Sequence, residues 1–207
     1  MASAFAADLV LEEPAASWNV APTQRIAVVR VADDEGPQRV LSGARWGLVP
    51  SWSKEIGGPP LINARAETLT TKPAFRAAAR RHRAIVPANG YFEWAPGTPK
   101  TPYFLHAPAD GLLGFAGVCE FWQGPDGWLC STAIVTRATT DALGHIHDRM
   151  PVVVPRDLVD AWLDPSLTSA DGVDALLHSI PDPELTPRPA DHAVGSVRNN
   201  YPGLIGG

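Results

Sequence analysis

Short alternating or continuous apolar runs at residues 25–31, 40–49, 84–94, 102–107, 114–122, 128–136 and 151–154 read as β-strands. Successive side chains of a strand face opposite ways, so a strand buried on one face alternates and one buried on both is continuous. Glycine or proline stands at most ends of these runs, where turns are expected. Helical spacing is rarer. Residues 71–83 start with Thr71 in a capping position and Pro73 just inside, then continue in good helix formers with Arg76, Arg80, Arg81 and Arg83. Residues 141–146, 155–163 and 169–177 complete the predicted helices, and the proline-rich residues 181–189 read as an extended connection. Residues 2–11 read as the later part of an amphipathic helix that starts without a capping residue. Strands in blocks, with helices between blocks rather than after each strand, predict an α+β fold on a mainly antiparallel, barrel-like sheet with a few flanking helices.

Composition narrows this picture. A chain of 207 residues, 45% of them hydrophobic, suits one domain over residues 1–207 with a sizeable core. Seventeen basic against 22 acidic residues give a net charge of -5, so any nucleic-acid contact must be local rather than driven by overall charge. The two cysteines, Cys119 and Cys130, lie in separate apolar runs without metal-ligand spacing, as expected of a cytoplasmic protein. The first residues have no basic start and are interrupted at Asp8 and Glu12, which predicts neither a signal peptide nor a membrane span.

Several polar residues stand where chemistry is expected. Glu93 sits among aromatic and aliphatic residues in VPANGYFEW, and on a strand it shares a face with Tyr91, opposite Phe92 and Trp94. A carboxyl pointing into a lined pocket holds its proton more firmly and serves as a proton donor, whereas one pointing to water is an ordinary surface acid. His147, in GHIHDRMP, falls where a short helix gives way to an apolar strand, a junction that suits a catalytic imidazole as well as a charged turn. His145 and His147 share a face only on a strand and have no third ligand nearby, so neither metal nor cofactor is predicted. Asn63, Arg65 and Glu67 share a face if PPLINARAET is extended, and such a trio orients a carbonyl or phosphate or forms a structural network. Asn19 lies between an aromatic residue and an apolar turn. Trp46, Trp52 and Arg45, with the arginines of residues 76–83, offer the stacking surfaces and guanidinium groups that single-stranded nucleic acid needs; tryptophans in a strand-rich chain also serve as core.

Taken together these motifs resemble the SOS-response-associated peptidase (SRAP) family. The resemblance rests on WNVAPTQ at 18–24, RWGLVPSW at 45–52, PPLINARAET at 59–68, VPANGYFEW at 86–94, GFAGVCEFW at 114–122, IHDRMPVVV at 146–154 and AVGSVRNN at 193–200. It implies recognition of abasic sites in single-stranded DNA, followed by a covalent DNA–protein crosslink, and self-processing by peptide cleavage. It implies that Glu93 and His147 are catalytic, that Asn63 positions the ring-opened sugar, and that Asn19 is a further active-site asparagine. Arg45, Trp52, Arg65 and Arg83 fall where the family has DNA-contacting or nearby residues. A monomer, free in the cytoplasm and nucleoid-associated when on DNA, is expected. The family's nucleophile is an N-terminal cysteine following Met, which closes a thiazolidine ring on the sugar aldehyde. This sequence begins Met-Ala-Ser-Ala, so the expectation is that the cysteine-bearing strand is missing from it. Two alternatives stand beside this reading. One is a non-catalytic module for single-stranded or junction DNA; the other is a cysteine hydrolase pairing Cys119 with His147.

Overall fold

A computed structural model of the chain describes residues 1–32, 36–109, 111–138 and 148–205. Its elements, in chain order, are β1 (Leu9–Val10), β2 (Arg25–Ala32), β3 (Gln38–Trp46), β4 (Asn63–Arg65), α1 (Arg76–Arg81), β5 (Arg83–Ala88), β6 (Gly90–Ala95), β7 (Thr101–His106), β8 (Leu113–Gly124), β9 (Gly127–Ala138), β10 (Arg149–Pro151), α2 (Val159–Leu163), α3 (Ala170–Ser179) and β11 (Thr186–Pro189). Strands β3, β2, β5, β8 and β9 pair antiparallel in that order, and β3 closes the ring on β9 in parallel through Arg45–Ser131 and Trp46–Thr132. The result is a closed five-stranded barrel within an α+β fold, as the strand blocks predicted. Strand β4 continues along the edge of β9 that β3 occupies, and β10 extends the sheet beyond β8. A second antiparallel sheet holds β11, β7 and β6, so the proline-rich connection becomes its edge strand.

The continuous apolar runs follow from burial on both faces. Val28, Ala84, Val86, Phe115, Cys119 and Ile134 form the barrel's interior cluster. Their neighbours Val29, Ile85, Ala116, Val118, Ala133 and Val135 face outward and are covered by Phe75, Trp162, Leu163, Val173 and Leu177. Burying a side chain of this size contributes about 1.5–3 kcal/mol, so both faces stabilise the ring.

Three predicted elements differ. The run at 84–94 is two strands in different sheets, broken at Asn89. Gly90 permits the change of sheet, because a β-carbon there would run into the Leu105 carbonyl and the Phe104 ring. The helix expected over residues 2–11 is a single 3-10 turn, Ser3–Phe5, followed by Ala6 with a positive φ of 48°. An isolated short helix is marginal, and here the free edge of β3 offers better partners. Asp8 donates its N–H to the Arg39 carbonyl at 2.7 Å and accepts from the Arg39 N–H at 2.9 Å, which starts the parallel pairing of β1. Finally α1 begins at Arg76 after an uncapped Phe75, so Thr71 is not its cap. The predicted helix at 141–146 lies outside the described residues.

Candidate functional site

Strand β4 is short, but its register fixes what each residue faces. Ala64, fully buried, enters the helix-covered cluster opposite Val135. Asn63 and Arg65 therefore point the other way, to the side of the sheet that carries Ile134 and Thr136. Past Arg65 the chain tightens into a 3-10 turn over Ala66–Thr68, anchored by buried Leu69 and by the Thr70 hydroxyl, which donates to Asp174 Oδ2 at 2.9 Å. That turn brings Thr68, Thr71 and Lys72 round to complete an open cleft of about 640 Å3 lined by Asn63, Arg65, Thr68, Thr71 and Lys72. Two cations, an amide and two hydroxyls, with no carboxylate among the described lining residues, suit a ligand bearing phosphates.

The expected trio does not survive the turn. Glu67 leaves the face of Asn63 and Arg65 and instead receives Nη1 and Nη2 of Arg149 at 3.2 and 2.9 Å. Arg149 also donates to the Thr136 carbonyl at 2.8 Å, so one guanidinium spans β9 and the 3-10 turn. Its hydrogen bonds hold the Glu67 carboxyl below the usual range.

Glu93 lies on β6, at the edge of the second sheet, opposite Tyr103. It shares a face with Tyr91, whose ring meets Phe115 edge-on at 5.9 Å, and this face of the small sheet turns toward the barrel interior. Phe92, on the other face, packs on Phe104 at 5.3 Å. The carboxylate is half-buried, and Oε1 accepts the Trp94 N–H at 3.2 Å.

The remaining candidates lie elsewhere. Asn19 is buried and its Nδ2 donates to the carbonyls of Val194, Ser196 and Asn199 at 3.1, 3.1 and 3.0 Å. Asn200 Oδ1 accepts the Trp18 N–H at 2.8 Å, so the motifs WNVAPTQ and AVGSVRNN form one clamp. Asn19→Ala is expected to cost about 2 kcal/mol by orphaning these carbonyls and to speed amide hydrogen exchange through residues 193–199. Unaltered protection there would remove the clamp role.

Arg45 faces away from the cleft, since its partner Ser131 lies on the opposite face from Ile134, and its Nη1 donates to the Gly47 carbonyl at 2.7 Å. Trp52 is 68% exposed on the turn after β3 and is not among the residues lining the cleft. Arg83 is 5% exposed, with Nε, Nη1 and Nη2 donated to the carbonyls of Trp162, Ala79 and Asp164, so its side chain is occupied by the backbone rather than presented at the surface. His145 and His147 lie outside the described residues.

Cys119 is not placed as a hydrolytic nucleophile. Cys119 is fully buried in the barrel, and contact with Cys130 together with burial pushes its thiol well up. Thus the cleft gathers Asn63 and Arg65, while Glu93, Asn19, Arg45, Trp52 and Arg83 are not among its lining. Sequence reasoning passed over Thr68, Thr71 and Lys72, although their i, i+3, i+4 spacing would place them together on one helical turn. Among the described residues no group of three or more His, Cys, Asp or Glu side chains is placed to hold a metal ion.

The family model described as SOS response associated peptidase (SRAP) matches residues 1–197. The chain is similar to the abasic site processing protein YoqW of Bacillus subtilis, 37% identical over 91% of this chain and 85% of that one. It is also similar to the abasic site processing protein YedK of Escherichia coli, 32% identical over 93% and 85%. A crystal structure of a protein from Bordetella bronchiseptica superposes with a TM-score of 0.77 at 24% identity, covering 92% of this chain and 94% of that one, which shows the shared fold.

Proposed function

Because the chain belongs to the SOS response associated peptidase (SRAP) family, we propose that it recognises abasic sites in single-stranded DNA through the cleft between β4 and the Thr68–Lys72 turn. The observation that carries this is the lining of that cleft. In a chain of net charge -5, the cleft presents Arg65 and Lys72 with Asn63 and two threonine hydroxyls. The names of the curated relatives supply the abasic site.

In this reading Arg65 and the threonines hold the phosphates flanking the lesion, since a guanidinium and hydroxyls donate without carrying base information. Asn63 offers donor and acceptor to the opened sugar, which an abasic site presents as an aldehyde. Glu93 and His147 keep the proton-transfer roles that the resemblance implies, at the sugar oxygen and at the hydroxyl that leaves afterward; because Glu93 does not line the cleft, this requires the opened sugar to extend from the cleft toward β6. Thiazolidine formation needs an amine and a thiol on one residue. Cys119 and Cys130 both sit within strands and cannot offer that pair. That Glu93 is not among the residues lining the cleft favours a second reading, a module that binds abasic DNA without chemistry.

Binding is tested by fluorescence anisotropy with a single-stranded oligonucleotide containing a tetrahydrofuran abasic analogue. Arg65→Ala is expected to weaken binding about tenfold and to reduce the salt slope by about 0.7. Equal affinity and an unchanged slope in the variant would place the DNA elsewhere.

A further inference from the structure

We propose that Lys72 forms a Schiff base with the aldehyde of an opened abasic sugar, which gives this chain a covalent step that needs neither cysteine. The proposal rests on the abasic-DNA reading above and deepens it. The sequence holds three lysines, Lys54, Lys72 and Lys100. Lys54 borders a separate groove with Ile56 and Trp128, and Lys100 is exposed in the turn before β7. Lys72 alone of the three lines the cleft, beside the amide of Asn63 and the guanidinium of Arg65.

Its main chain is fixed as a reacting group requires. The Lys72 N–H donates to the Thr68 carbonyl at 2.9 Å, and its own carbonyl accepts the N–H groups of Phe75 and Arg76, each at 2.9 Å. Pro73 further restricts the backbone of Lys72, the residue before it. The ammonium lies 5.4 Å from the centroid of the buried Phe75 ring, which fixes the starting position of a long, otherwise mobile side chain. The cleft is open, so a sugar held by its two flanking phosphates reaches the amine without a change of fold.

The step balances without an oxidant or reductant. Nζ first gives one ammonium proton to water, and its lone pair then attacks the aldehyde carbon and forms the C–N bond while the carbonyl π pair moves to oxygen. A proton passes from nitrogen to that oxygen. The hydroxyl of the carbinolamine then takes a further proton and leaves as water, and loss of the remaining N–H proton gives the imine, so amine and aldehyde become imine and water. Among the described residues, none of those lining the cleft carries a carboxylate that would fix the amine in an ion pair.

The experiment uses the full chain and a single-stranded oligonucleotide with one true abasic site, with sodium borohydride added to reduce any imine to a secondary amine. A denaturing gel is expected to show a trapped adduct, and peptide mass mapping is expected to place it on Lys72. Lys72→Arg keeps the cation but cannot form an imine, and at saturating protein the adduct is expected to fall by at least about tenfold. An adduct mapped to the Met1 amine, Lys54 or Lys100, or undiminished in Lys72→Arg, overturns the proposal. Binding of tetrahydrofuran DNA without a trapped adduct to the true site sinks the Lys72 step and leaves the DNA reading standing. Absence of any preference for abasic DNA over intact DNA sinks both.

Discussion

Arg83→Met is expected to lower folding stability by about 3–5 kcal/mol, read as a shift in urea midpoint at unchanged slope. The side chain starts β5 and reaches back into the region where two helices end. Nε donates to the Trp162 carbonyl at 2.7 Å, Nη1 to Ala79 at 2.8 Å and Nη2 to Asp164 at 2.5 Å. The last carbonyls of a helix have no partner within it, and a cation there also meets the negative end of the helix dipole. Burial pulls the Arg83 pKa down and the Asp164 carboxylate partly offsets this, but a guanidinium remains charged at neutral pH. Methionine matches much of the volume and leaves three acceptors empty. Lysine keeps the charge but lacks the fork of donors, so Arg83→Lys is expected to lose about 2 kcal/mol. A loss below about 1 kcal/mol in Arg83→Met, joined to weaker DNA binding by the folded protein, would return this residue to the DNA surface.

Glu93→Gln is expected to slow covalent processing of abasic DNA by about a hundredfold, the contribution typical of a positioned acid. The amide keeps the shape of the carboxyl and cannot give up a proton at the sugar or carbinolamine oxygen. The effect belongs in the rate constant at saturating DNA rather than in affinity, because the phosphates are assigned to Arg65 and the threonines. Rate measured by borohydride trapping over time separates the two readings of function. Equal rates in Glu93→Gln and the parent would remove Glu93 from the proton transfer, and no trapped adduct in either would favour a binding module.

The fold was legible where burial imposed a pattern. Strands β8 and β9 and the outward and inward sets of β5 are apolar on both faces, so their runs stand out without any knowledge of partners. What hid was information held in other parts of the chain. Asn89-Gly90 is a local break signal within residues 84–94, but nothing local shows that Pro87 and Tyr91 belong to different sheets; the approach of Phe104 and Leu105 to Gly90 decides that. Residues 2–11 have helical spacing, yet only Ser3–Phe5 turns, and the vacant edge of β3 claims Leu9–Val10 as a strand. The same contrast holds at the cleft. Asn63 and Arg65 were legible because alternation on a strand is a local property. Lys72 and Thr71 were not, since a turn of undetermined direction separates them from β4. Arg83 and Asn19 stand within recognisable motifs, and only their burial against carbonyls distant in sequence reveals that both hold the backbone together.

The parallel joint between β3 and β9 has a consequence for the order of assembly. Hairpins such as β2–β3 and β8–β9 bring together neighbours in the chain and form at low loop-closure cost. The joint at Arg45–Ser131 must wait until both are made, and β4 adds to the same edge of β9 immediately beyond it. The wall bearing Asn63 and Arg65 is therefore among the last pieces to be set. A nascent chain emerging from the ribosome has no cationic cleft to offer until β9 has been synthesised, so the binding proposed for that cleft begins only as the ring closes.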